Sequence, residues 1–191
     1  MEIESDDIVK KAMTPDEVVQ YYHIFRPDSN VSVIEYKDVI AADSIDSLFT
    51  VNPTCCIIFY PFMKSGRYTQ GHYVALCRDE ERKAFWYYDS LAYKPDQYKD
   101  KVPNRYALYN ENENTLIRHL LEMKLEGYTI DYNDKQVQSR LPQIATCGRF
   151  AALRCACSNL SNSEFDTLLD RLAVRFLEKK ERFRDNLFKY I

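Results

Sequence analysis

A chain of 191 residues, 46% hydrophobic, 14% aromatic and 29% charged, is long enough to fill one core and short for two, and this composition excludes a disordered or collagen-like polymer. A formal net charge of −3 argues against an obligate nucleic-acid surface. No apolar run approaches the roughly 20 residues of a membrane helix, and the opening MEIESDDIVKK is acidic where a secretory signal would be basic and then apolar, so a soluble intracellular protein with no membrane partner is expected.

Thr14-Pro15-Asp16-Glu17 combines a capping threonine, a proline at the first helical position and a glutamate three residues on. This predicts a helix (14–25) through Val18, Val19, Tyr22 and His23, stopped by Pro27. A short strand is expected from Val31 to Tyr36 and a brief helix from Asp43 to Phe49. The apolar, aromatic runs CCIIFYPF, HYVALCRD and KAFWYYDS predict neighbouring strands of one sheet, the last two forming a hairpin turned at DEER. Leu91 to Asn114 is the least patterned stretch and reads as a surface loop. Leu116, Leu120, Leu121 and Met123 then recur at helical spacing until Gly127, which suits the position just past a helix end, and YTIDYN alternates as a strand. Helices are predicted for Cys147 to Asn159 and for Ser163 to about Lys180. The second is opened by Ser163-x-x-Asp166 and lined by Phe165, Leu168, Leu169, Leu172 and Phe176. The basic residues Lys179, Lys180, Arg182, Arg184 and Lys189 are offset by Glu178, Glu181 and Asp185, the pattern of a solvated helix face.

The six cysteines are expected to be free thiols in a reducing compartment. Cys55-Cys56 and Cys155-x-Cys157 lack the spacing of zinc ligands, and the three histidines offer no HxxxH pair, so no metal site is expected. Cys55, Cys56 and Cys77 sit in apolar runs and read as core. Cys147 is different. Thr146 is a candidate helix cap, which puts Cys147 at a helix N-terminus, where free N–H groups and the helix dipole favour a thiolate. The chain has only four glycines, and Gly148 next to Cys147 would let a substrate chain approach the sulfur. The same residues also fit a buried cysteine in an ordinary amphipathic helix.

A second glycine, Gly71, precedes His72 at the head of HYVALCRD, and Asp89 ends WYYDS. A hairpin turned near Asp79 to Arg82 would bring His72 and Asp89 to one end of the sheet. There an aspartate can orient an imidazole, and the imidazole can take a thiol proton. Taken singly, they also fit an ordinary strand histidine and a turn aspartate.

The ordered pieces GHYVAL, YYDS, a glutamine-containing segment and TCGRF resemble the adenain/Ulp1-like cysteine proteases, which include adenovirus maturation proteases and proteases of SUMO- or ubiquitin-like modifiers. The order His, Asp, Gln, Cys is that family's and is opposite to the papain-like order. The resemblance covers about 33–176 and is most like members from large DNA viruses and related elements. It implies an α+β fold, a central, mostly antiparallel sheet flanked by helices, with the nucleophile opening a central helix. One protease domain spanning 1–191, with C-terminal helices over 163–190, is expected. Residue by residue, the resemblance makes Cys147 the nucleophile, His72 the base and Asp89 its orienting acid. Tyr73 stands where many members have tryptophan and keeps an aromatic wall. Gln138 fits the oxyanion glutamine best, Gln143 is the runner-up, and Gln136 also precedes the nucleophile. Gly71, Tyr73 and Gly148 are expected at the substrate. The resemblance further implies an endopeptidase without cofactors that cuts after glycine in small-residue motifs. Its substrates would be viral capsid or core precursors, or alternatively ubiquitin-like conjugates, and a noncatalytic peptide-binding descendant is the remaining alternative. A monomer in the host cytoplasm, viral factory or virion is expected.

Overall fold

The computed structural model describes residues 5–64, 67–98, 114–176 and 184–191. Helix α1 (Ser5–Lys10) leads through an extended segment to α2 (Pro15–Phe25), then come β1 (Val33–Glu35), α3 (Tyr36–Ala41) and a 3₁₀ turn (Ile45–Phe49). Strands β2 (Cys55–Lys64), β3 (Arg67–Asp79) and β4 (Ala84–Tyr88) precede α4 (Thr115–Leu125) and β5 (Thr129–Tyr132). Helices α5 (Cys147–Ala156) and α6 (Asn162–Phe176) and a last 3₁₀ turn (Asp185–Lys189) complete the described elements.

Local chemistry explains most of these limits. At α2 both halves of a capping box form: Thr14 Oγ1 accepts from the Glu17 N–H at 3.3 Å, and the Glu17 carboxylate accepts from the Thr14 N–H at 2.8 Å. Gly127 ends the α4 connection with φ +94, a left-handed conformation that favours glycine. Helix α6 begins one residue before the expected Ser163, with its cap shifted by two. Its box is Ser161 and Glu164, whose side chains accept each other's N–H groups at 3.2 and 2.7 Å, while Asp166 instead accepts from the Tyr88 hydroxyl. The expected continuation of this helix to Lys180, with Lys179 and Arg182, lies outside the described residues, as does most of the loop between Leu91 and Asn114.

The five strands lie in the order β1-β2-β3-β4-β5. The three in the middle form the expected antiparallel meander, with Cys55 opposite Cys77 and Ala75 opposite Tyr88. Both outer pairings are parallel, β1 on β2 and β5 on β4, so the sheet is mixed. Parallel neighbours need a crossover. The β1–β2 connection carries α3, which the sequence did not signal, and the β4–β5 connection carries α4.

Strand alternation divides the core into two layers. Ile57, Ala75, Cys77, Trp86 and Tyr88 pack with α2, α5 and α6 on one face, while Ile58, Tyr60, Val74, Leu76, Phe85 and Tyr87 pack with α3 and α4 on the other. The sheet is therefore sandwiched between helices in an α+β arrangement. All ten residues of α5 are buried, which makes it the central helix. Its Arg154 is covered completely, stacked on Trp86 and Phe165, and donates to the carbonyls of Cys157 and Leu160 just past the helix end.

Candidate active site

The sheet places an imidazole and a carboxylate together by register. Ala75 faces Tyr88 across β3 and β4, and His72 lies three residues from Ala75 while Asp89 lies one residue past Tyr88; both steps are odd and run toward the same edge, so the two come to the same end and the same face. His72 Nε2 and Asp89 Oδ1 meet at 2.9 Å. Asp89 is held by its own surroundings. Asn133, just past β5, accepts from the Asp89 N–H and donates to its carbonyl, each at 2.7 Å, and Asp89 Oδ1 also accepts from the Leu91 N–H at 2.7 Å. The Tyr98 ring lies on the His72 ring with centroids 4.7 Å apart, fixing the imidazole plane from the side.

Helix α5 packs on the opposite face and brings its first residue to this end of the sheet. The Cys147 thiol lies close enough to His72 and to the Tyr73 backbone for both to act on its charge. Because Asp89 occupies Nε2, Nδ1 is the nitrogen left for the sulfur. Burial drives the thiol's pKa up, but the positive imidazole beside it, its hydrogen bond and the Tyr73 N–H outweigh burial and leave the thiol below its ordinary value. Burial likewise pulls the imidazole down, and Asp89 and Cys147 together overcome it and raise His72 to about 10. The two shifts share one cause. Each partner stabilises the charged form of the other, which favours a thiolate–imidazolium pair.

Thr146 occupies the N-cap position but does not cap. Its hydroxyl donates instead to Asp185 Oδ1, so no side chain competes for the first N–H groups of α5 beside the sulfur. That is the condition for a helix terminus to stabilise an anion.

His72, Cys147 and Gln138 line one cleft of about 760 Å³. Among the described residues Gln138 is the glutamine that reaches it. Gln143 is exposed and outside the lining, and Gln136 donates to the Gln138 carbonyl at 2.7 Å. The rigidity of Gln138 does not come from a strand end, since β5 stops at Tyr132. The Ser90 carbonyl accepts from the N–H groups of Val137 and Gln138, both at 2.9 Å, and the Ser90 hydroxyl donates to Gln138 Oε1 at 2.6 Å. With Oε1 engaged, Nε2 is the donor left to act in the cleft.

Both glycines also have a packing reason. A Cβ on Gly148 would come within 2.8 Å of Val18 Cγ2, 3.4 Å of Tyr73 Cδ2 and 3.6 Å of Met13 Cβ, so its tightest neighbour is this chain's own α2. Gly148 does not line the cleft. Gly71 does, yet a Cβ there would lie 2.1 Å from the Phe59 ring, which stacks on Tyr73 at 4.5 Å. Tyr73 also lines the cleft and donates to the Met13 carbonyl at 2.9 Å. Sequence reasoning missed Ser90, Asn133 and Asp185, each flanking a motif without a spacing that marks it, and Tyr98, which sits in the least patterned stretch. Among the described residues no group of metal-ligating side chains comes together, and no helix is long and apolar enough to cross a membrane.

No protein-family model matches the chain. Protein V9 of the Sputnik virophage, itself uncharacterised, is 24% identical over 144 residues, 75% of this chain and 77% of V9. The SUMO protease Ulp1, solved with its catalytic cysteine oxidised to a sulfinic acid, is similar in structure with 13% identity, covering 100% of this chain and 84% of that one at a TM-score of 0.40. ChlaDub1 from Chlamydia trachomatis is similar with 11% identity, covering 100% and 91% at a TM-score of 0.48.

Proposed function

We propose that this protein is a cysteine peptidase in which Cys147 is the nucleophile. One observation carries the reading: a single imidazole, His72, is bonded through Nε2 to Asp89 and lines one cleft together with Cys147 and Gln138. The thiolate attacks the scissile carbonyl carbon. The developing oxyanion is met by Gln138 Nε2 and the N–H at the start of α5. The His72 imidazolium gives its proton to the departing amine, leaving a thioester. Water then attacks the thioester and yields its proton to His72, and the carboxylic acid product departs as the thiolate–imidazolium pair is restored.

The cleft suits an extended polypeptide. Phe62, Tyr93, Leu141 and Ile144 contribute apolar lining, and Pro61 and Pro142 line it without a backbone N–H. Cleavage after glycine in a small-residue motif rests on the motif resemblance described above. The virophage relative supports a setting in a viral element, where the substrates would be capsid or core precursors. Removal of ubiquitin-like modifiers is the other substrate class for the same chemistry.

The test is direct. Purified protein is incubated with ubiquitin and SUMO activity probes and with Gly-Gly-X and Gly-X-Gly peptides, beside Cys147→Ala. Turnover or labelling that vanishes in Cys147→Ala supports the reading, and the preferred panel names the substrate class. Full activity in Cys147→Ala would end it, and silence across both panels would favour a binding descendant.

A further inference from the structure

The loop 140–145 forms one wall of the cleft, and its two ends are Ser139, next to Gln138, and Thr146, next to Cys147. One carboxylate joins them. Asp185 Oδ2 accepts from the Ser139 N–H at 2.7 Å, and Asp185 Oδ1 accepts from the Thr146 hydroxyl. The neighbouring Arg184 N–H donates to the Val137 carbonyl at 2.7 Å, so Gln138 is gripped on both sides by consecutive residues of the C-terminal segment. A further bridge runs from Lys135 to Asp170 at 2.8 Å and from Asp170 to Arg184 at 3.0 Å.

The segment that provides this grip is itself anchored. Leu187 and Phe188 are buried in the core, with the Phe188 ring 4.6 Å from that of Phe150 on α5. Asp185 is only 5% exposed, and burying a carboxylate is costly unless its hydrogen bonds are made. A fold needing only to tether its last turn would not require a carboxylate there, since a backbone bond such as Arg184 to Val137 does that already.

We infer that Asp185 is a positioning residue that sets the Gln138 amide relative to the Cys147 sulfur by stapling the two ends of the 140–145 loop. The inference rests on the peptidase reading of Cys147 and Gln138. The carboxylate acts through its two hydrogen bonds, without touching substrate. It also explains the uncapped helix: by drawing the Thr146 hydroxyl away, Asp185 leaves the first N–H groups of α5 for the reacting oxygen.

The experiment is a double-mutant cycle in the full chain, with Asp185→Ala, Gln138→Ala and both, read on Gly-Gly-X peptide hydrolysis together with amide exchange across 137–139. Asp185→Ala should lower kcat by about 10- to 100-fold with KM within about twofold, somewhat less than loss of the oxyanion donor itself. The double variant should fall no more than about threefold below Gln138→Ala, because the two residues act on one interaction. Exchange at Ser139 should quicken while that of β3 and β4 stays unchanged. Asp185→Asn keeps an oxygen for the Ser139 N–H and an amide that can donate to Thr146, and should recover kcat to within a few fold. If Asp185→Ala does not fold, Thr146→Val severs one arm and takes its place in the cycle. Additive losses in the cycle, or Ser139 exchange that does not change, would overturn the inference. Absence of Cys147-dependent hydrolysis in the wild-type chain would refute the peptidase reading instead, and the exchange measurement alone would then decide whether Asp185 staples the loop.

Discussion

Replacing Gly148 by alanine separates two reasons for a glycine beside the candidate nucleophile. Near the start of α5 an alanine should favour the helix by up to about 1 kcal/mol. Against this, the new Cβ would stand 2.8 Å from Val18 Cγ2, well inside ordinary contact, and Val18 is 0% exposed in the core between α2 and α5. Its methyl has no free space to move into, and such overpacking costs about 1–3 kcal/mol. Set against the full helix gain, overpacking leaves a net loss of up to about 2 kcal/mol and a Tm lower by up to about 8 °C. Trimming the neighbour tests the cause. Val18→Ala alone leaves a cavity and is itself destabilising, but in Val18→Ala/Gly148→Ala the added methyl occupies part of that space. The double variant should be more stable than the sum of the single losses by at least about 0.5 kcal/mol. Thermal unfolding of the four proteins, with peptide turnover measured in parallel, checks this. A Gly148→Ala protein as stable as wild type but slow in turnover, and not helped by Val18→Ala, would refute the packing argument and return Gly148 to a role at the substrate.

Gln138→Ala should lower kcat by about 10²- to 10³-fold with little change in substrate binding, and Gln143→Ala should stay close to wild type; steady-state kinetics showing the reverse order would move the oxyanion donor to Gln143. The thiolate–imidazolium pair makes a prediction in pH. Alkylation of Cys147 by iodoacetamide, corrected with Cys147→Ala as the blank, should rise and level off at a lower pH than that of a free thiol, because the thiol lies below its ordinary value. Turnover should fall in acid as the thiolate is protonated, and in alkali as His72 loses its proton near about 10. An alkylation rate that climbs through pH 8–9 like a free thiol would show that the pair does not form. Arg154→Met keeps the apolar stem but removes the bonds at 2.8 and 2.7 Å to the Cys157 and Leu160 carbonyls; it should cost at least about 2 kcal/mol in denaturant unfolding. Arg154→Lys should not recover it, since an ammonium lacks the fork that spans both acceptors.

Features set by neighbours along the chain could be read from the sequence. Thr14 and Glu17 are three residues apart and make their box as spaced, the continuous apolar and aromatic runs around Ile57, Val74 and Trp86 form strands as their composition suggested, and the hairpin turn at Asp79 to Arg82 brings His72 and Asp89 to one end by counting alone. The motif order likewise pointed to Cys147 as a helix-opening thiol. Tertiary structure decided what depends on residues remote in sequence. Thr146 has the chemistry of a cap, yet its hydroxyl bonds Asp185, 39 residues away, and no local spacing could show that competition. The scarcity of glycine drew attention to Gly148 and Gly71, but only packing revealed Val18 and the Phe59 ring as the groups that exclude a Cβ. The choice among Gln136, Gln138 and Gln143 was open in the sequence because all three precede Cys147 in an irregular segment. In the structure Gln138 is the one of the three that lines the cleft, because Ser90, Val137 and Ser139 are pinned by long-range hydrogen bonds. A regular element repeats its bonding along the chain and so leaves a period to read, whereas an irregular segment takes its shape from partners that the order of residues does not reveal.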